Sequence, residues 1–299
     1  MFPPPRAWLA ALLLARILTA DISGGAAEAG SAPENLAPPV RPVVVGYGQG
    51  VFRIGPLLHQ DDFENLENWV PQVQQRGAVE PHIGVRDGKL EAVMEDAAAT
   101  IWFRHKLEGP IAIVYRVRAR RTEAQRAGFM ARDINCFWHA RDPVRPERVI
   151  EDARRYTGAF GSYDQQLGYY ASIGGGQNTT TRFRRYPRAV DGSRAAHLFL
   201  FDKDGRDAYR IEPDREYRIQ LVAYDDLIQF IVDGKPYYEI RAGDTVTMET
   251  ASGERREVTY TRERFSAYTE GWFGFRLTSS HHEYADFRVY RLEPDTDGP

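Results

Sequence analysis

The chain has a single cysteine in 299 residues, Cys136, so no internal disulfide can brace it and stability must come from a large buried core. Set in "INCFWHA", Cys136 reads as a small buried hydrophobe and not as a nucleophile. No repeat at a fixed period is visible, which excludes a propeller or solenoid. Helical periodicity is nearly absent, and residues 146–156 are the best helix candidate. Net charge is small as well: 39 Lys and Arg against 42 Asp and Glu leave −3. Phosphate-binding domains carry a marked basic excess, so nucleic acid is not the expected partner. The one long apolar run, "AWLAALLLARILTA", is interrupted by Arg16 and is short for a bilayer. With Arg6 before it and small residues Ala27 and Ala29 after it, the run reads as an export signal over residues 1–29. The protein is thus expected to be exported, periplasmic or extracellular, with no membrane span after signal cleavage.

What the chain does have is aromatics, 16 Tyr and 15 Phe, and short runs that alternate with period two. Such runs occupy residues 89–94, 100–107, 111–120, 196–201, 216–226, 227–240, 271–280 and 284–293. In the third of them Arg116, Arg118 and Arg120 share the face opposite Ile113, Tyr115 and Val117, so that face is wet or binds something anionic. Asp233-Gly234 between two strand-like runs predicts a hairpin. Many short strands separated by turn signals predict an all-β sandwich of two antiparallel sheets, with few short helices. Residues 30–59, rich in Ala and Pro up to Pro42, are assigned to a linker and N-terminal extension, 60–293 to the sandwich and 294–299 to a tail.

Three stretches carry a resemblance: "DDFENLENW" (61–69), "YRIQLVAYDDLIQFIVDGKPYYE" (217–239) and "GWFGFRLTSSHHEYADFRVYRL" (271–292). They resemble the concanavalin A-like lectin and glucanase superfamily, a jelly roll. The middle, "DINCFWHARDP" with "YYASIGGGQNTTTRFRRY", is similar to an uncharacterised bacterial branch of it associated with polysaccharide degradation. The resemblance implies a carbohydrate ligand.

Two stretches hold the candidate chemistry. On the strand around 132–143, Ile134, Cys136 and Trp138 are expected to face one way, and Asp133, Asn135, Phe137 and His139 the other. Beyond three glycines at 174–176, alternation places Arg182, Arg184 and Tyr186 together, where the guanidinium groups can fork a carboxylate beside a phenol. A laminarinase-like carboxylate pair is not found, since Pro213 in "EPDRE" argues against a central strand. Histidine, tyrosine, arginine and amides without that pair fit β-elimination on a uronate-containing polysaccharide. His139, Tyr169 and Tyr170 are then the acid/base candidates. Asp133, Asn135, Trp138, Gln177, Asn178, Arg182, Arg184 and Tyr186 are the substrate-binding ones. The alternatives are a glycoside hydrolase using Asp133 with Asp142 or Glu283, and a non-catalytic lectin-like domain stacking sugars on Trp138, Tyr170 and Tyr186. No metal site is expected, because His281 and His282 point to opposite faces and lack further ligands at usable spacing. No cofactor is expected either, with structural calcium left open.

Overall fold

The computed structural model describes residues 51–122, 129–190, 193–194, 197–204 and 209–295. The expected export signal lies outside the described residues, as does the linker up to residue 50. In chain order the first strands are β1 (Phe52–Asp61), β2 (Trp69–Gln75), β3 (His82–Arg86), β4 (Lys89–Val93), β5 (Ala97–Phe103), β6 (Leu107–Glu108) and β7 (Ile111–Ala119). The middle supplies β8 (Ile134–Arg141), β9 (Leu167–Gly174), β10 (Thr180–Tyr186), β11 (Ala189–Val190), β12 (Ser193–Arg194) and β13 (His197–Asp204). The last are β14 (Glu216–Tyr224), β15 (Leu227–Val232), β16 (Lys235–Ile240), β17 (Thr245–Glu249), β18 (Arg255–Thr259), β19 (Glu270–Thr278) and β20 (His281–Pro294). Among the described residues, helix is confined to the single turns α1 (Arg148–Glu151) and α2 (Gly175–Asn178) and a 3-10 turn at Phe160–Tyr163.

Apart from the separate β11–β12 pair, the strands form two large antiparallel sheets. One, the site sheet, runs β18-β17-β13-β10-β9-β8-β19-β5-β2, with β6 joined to β19. The other runs β16-β15-β14-β7-β20-β4-β3, with β1 joined to β20. The expected all-β sandwich is what forms, and its opening strand β1 pairs with its closing strand β20. Its start lies earlier than residue 60, because β1 pairs with β20 from Phe52 onward. The hairpin at Asp233-Gly234 joins β15 to β16 as read from the sequence.

Between the sheets lies a core rich in aromatic rings, as a chain without disulfides requires. Phe275 of the site sheet stacks on Tyr284 of the other at 3.9 Å between centroids, and Trp69 stacks on Phe275 at 4.9 Å. A second stack runs Trp138–Phe183–Tyr238, at 5.4 and 5.6 Å. Cys136 is buried in this core, and burial pushes its thiol up to about 12, so it is inert as expected. The arginine face of β7 is an ion-pair surface: Arg116 meets Glu216 and Asp286 at 2.8 and 2.6 Å.

A separate, smaller aromatic cluster lies on the outward face of the site sheet. Residues 142–166 fold back over that face, and Val149, Tyr156 and Tyr163 close over Trp102, Phe137 and Trp272. They cover only part of the sheet. What they leave open is the site.

Candidate functional site

Register across the outward face produces two ranks of side chains. One rank runs Val70–Trp102–Gly274–Phe137–Tyr170–Arg184 across β2, β5, β19, β8, β9 and β10. The next runs Gln72–Thr100–Arg276–Asn135–Ser172–Arg182 over the same strands. The first is largely aromatic and the second wholly polar, since residues two apart on a strand share a face. Beyond Phe160 of the covering segment, the ranks open into a pocket of about 270 Å³ that reaches from Gln74 on β2 to Arg182 and Arg184 on β10. Its walls include Asp133, Asn135, Tyr170, Ser172, Gly175 and Gly176.

The pocket's charge is lopsided. Arg76, Arg132, Arg182, Arg184 and Arg276 all line it, whereas Asp133 is the one carboxylate among the described residues that do. Arg276, 3% exposed, is fixed by the carbonyls of Ala99 and Gly158 at 2.8 and 2.9 Å. Burial pulls the Arg276 and Arg184 guanidinium groups below their ordinary value, yet an arginine remains a cation. Asp133 takes a left-handed backbone (φ 58) just before β8, and its Oδ2 accepts from Arg132 Nε at 2.6 Å. Burial holds the Asp133 carboxyl above the usual carboxylate range, with Arg132 opposing. Asn135 Nδ2 donates to Asp133 Oδ1 at 3.2 Å, while Asn135 Oδ1 is buried without a hydrogen-bond partner. Tyr170 is 4% exposed, and its phenol is held above its ordinary value by burial and the neighbouring Tyr186.

Of the residues singled out from the sequence, Asp133, Asn135, Tyr170, Arg182 and Arg184 therefore meet around one pocket. Tyr186 packs behind them against Phe137 and Tyr170, 1% exposed. The others lie elsewhere. Gln177 is exposed on the left-handed turn formed by Gly176, Gln177 and Asn178. Asn178 is committed to the backbone of Ile211, donating to its carbonyl and accepting from its amide at 2.9 Å each. Trp138 and Tyr169 face the core, so neither presents a ring to a sugar.

His139 corrects a sequence expectation. Alternation put it on the face of Asn135 and Phe137, but a bulge intervenes: the register jumps between Trp138 and Arg141 against β9, and between Trp272 and Gly274 against β19. His139 adopts φ 47 and sits fully buried, edge-on to the core residue Tyr169 at 6.5 Å. Gly168 and Gly271 make the bulge feasible, because a Cβ on either would lie within 3 Å of the backbone at His139 and Ala140. Both ring nitrogens lack a hydrogen-bond partner, and burial drives the imidazole down to about 3. Such a ring stays neutral at neutral pH and does not reach the pocket. The hydrolase pairs dissolve in the same way. Asp142 is consumed by the Tyr156 phenol and the amides of Val144 and Arg145, and Glu283 lies on the opposite sheet.

Sequence reasoning missed Arg76, Arg132, Arg276 and Phe160. Arg276 had a signal: it is the one charged residue in the otherwise uncharged run "GWFGFRLT", at the outward phase opposite Phe275 and Leu277.

The family model described as "Domain of unknown function (DUF6250)" matches residues 93–252. That span holds Arg132, Asp133, Asn135, Tyr170, Arg182 and Arg184, and leaves out Arg76 and Arg276. No curated protein matches the chain. Among solved structures, the chain is similar to a Bacillus subtilis protein of unknown function with a galectin-like fold: TM-score 0.56, 16% identity, 81% of this chain and 99% of that one covered. The carbohydrate-binding module CBM66 from Bacillus subtilis aligns at TM-score 0.42 and 9% identity, over 75% and 95% of the two chains. The endo-β-1,3-glucanase from Pyrococcus furiosus aligns at 0.43 and 12%, over 81% and 95%. At these identities the likeness is one of fold, the concanavalin A-like sandwich.

Proposed function

The chain belongs to the DUF6250 family, and we propose that its sandwich recognises an acidic saccharide, a uronate-bearing glycan, in the arginine-lined pocket on the outward face of the site sheet. One observation carries this reading: five guanidinium groups and one carboxylate line the same pocket of a chain whose overall charge is −3. A concentration of planar, permanently charged donors matches the planar acceptor set of a sugar carboxylate. Asn135 Oδ1 and Ser172 supply partners for hydroxyls beside it. The sandwich neighbours that bind or cleave carbohydrate agree with a saccharide as the ligand class.

A second reading, β-elimination, is favoured by the placing of Tyr170 and Asp133 on the walls of that pocket. In it, arginines offset the C6 carboxylate and so acidify the C5 proton. Asp133 accepts that proton, the C5–C6 region rearranges to the C4–C5 double bond, the C4–O bond breaks, and the Tyr170 phenol protonates the departing oxygen. Tyr170 suits the acid role because burial keeps it protonated. His139 has no part in this scheme.

The test is a binding and cleavage screen of the mature protein against polygalacturonate, alginate and a neutral β-glucan. Retention of the uronates alone, weakening with salt, supports the first reading; equal retention of the neutral glucan overturns it. Ultraviolet absorbance from an unsaturated product supports elimination, and retention without absorbance leaves a binding domain.

A further inference from the structure

His281 shares a strand face with Glu283, two residues on, and the fold adds further donors from strands almost 200 residues away. On the outward face of the second sheet, Glu91 of β4 stands directly opposite Glu283 of β20, and His281 precedes Glu283 by two positions. One ligand atom from each of Glu91, His281 and Glu283 falls within 4.8 Å of the others, and His281 Nε2 is 3.0 Å from Glu91 Oε1. A fourth donor is at hand on β3. His82 lies across Gly84, where a Cβ would come 2.9 Å from its Nε2, and that nitrogen stands 3.8 Å from Glu91 Oε2. We infer that these four residues form a zinc site that cross-braces β3, β4 and β20.

Carboxylates directly opposite on neighbouring strands repel one another, so the pair needs a compensating cation. The basic residues around it supply that only loosely. Arg86 reaches Glu91 at 3.4 Å, and Lys89, Arg118 and Arg120 reach Glu283 at 3.9, 3.7 and 3.5 Å. Each contact is longer than a good charge-assisted hydrogen bond. The Glu91 side chain is only 9% exposed, so its charge is poorly served by water. Two imidazoles with two carboxylates select zinc over calcium or magnesium, which take all-oxygen shells. Zinc bonds of about 2 Å require ligand atoms roughly 3.3 Å apart in a tetrahedron. The pocket here, about 250 Å³, is lined by Glu91, His281 and Glu283 together with Arg86, Asp87, Lys89 and Arg120.

The site is separate from the arginine pocket, and its test is independent of the saccharide reading. Calorimetric titration of the chelator-treated, untagged protein with ZnCl2, and with CaCl2 for comparison, should show one zinc bound per chain and no calcium at this site. His281→Ala should weaken zinc at least about tenfold, a loss typical of removing part of a metal's environment, and His82→Ala should weaken it less. Cobalt(II) should give the intense visible absorption of a tetrahedral site in the native protein and lose it in His281→Ala. Circular dichroism checks that the variants fold, and Glu283→Gln offers a second, nearly isosteric route to the same loss. Absence of stoichiometric zinc, or zinc bound equally well by His281→Ala and Glu283→Gln, overturns the proposal.

Discussion

The covered and open halves of the outward face use the same strands and the same residue types to opposite ends. In the covered half, Gln72 spends its amide on neighbours: Oε1 accepts from Trp102 Nε1 and Tyr163 Oη at 2.8 Å each, and Nε2 donates to the Val149 carbonyl at 2.9 Å. In the open half, on the same rank, lies the pocket that gathers Arg182 with four other arginines. There the amide of Asn135 keeps Oδ1 without a partner. A polar side chain whose bonds are all internal belongs to the scaffold, whereas buried polar groups grouped around an open space are matched to something that enters it. Arg276 joins the halves, because it holds the Gly158 carbonyl of the covering segment and also lines the pocket.

Gln72→Leu is the strongest way to break this division. It leaves the buried indole of Trp102 and the phenol of Tyr163 without their shared acceptor, at a cost of about 2–4 kcal/mol for two unsatisfied donors. Urea denaturation should show that loss, while polyuronate retention by the folded fraction stays unchanged. A loss of retention without a loss of stability would mean that the covered half touches ligand. Arg184→Ala is the converse. Removing one charge-assisted partner should weaken polygalacturonate binding by the folded protein about tenfold to hundredfold. Unaltered binding would remove Arg184 from the site.

Legibility followed periodicity. Strands of period two placed Arg182 and Arg184 on one face of β10 and Phe183 on the other, and the structure keeps that division. The same rule held along β8 from Ile134 to Trp138 and failed one residue later. A bulge shifts phase by one, and its enabling glycines, Gly168 and Gly271, sit on two other strands that only the fold brings alongside. Arg132 and Arg76 were illegible for a related reason: they belong to strand ends and loops, where no period applies. Asn178 looked like a sugar ligand because amides often are, and only the position of Ile211 reveals its structural employment.

The smallest expected effect concerns His139, which the bulge moved from the pocket side to the core side. The folded protein holds it down to about 3, through burial first and Arg141 second, and holds buried His282 down to about 4. In the unfolded chain both titrate near 6.5. Above that pH both states carry neutral rings and no stability is at stake. As pH falls below 6.5 the unfolded chain takes up protons that the folded one refuses, so stability is lost progressively, until the folded rings titrate as well. Between pH 7 and 5.5 each ring should cost about 1 kcal/mol by this linkage. His139→Leu should therefore make the decline of stability over that window shallower, by roughly the share of one ring in two. Comparing the variant with the parent protein cancels the opposite contribution of Asp133, whose carboxyl is raised in the folded state. Polyuronate binding by His139→Leu should stay within about twofold, because the ring touches core and not pocket. An unchanged pH slope together with lost binding would put His139 back among the ligand-facing groups and erase the boundary between the two faces of β8.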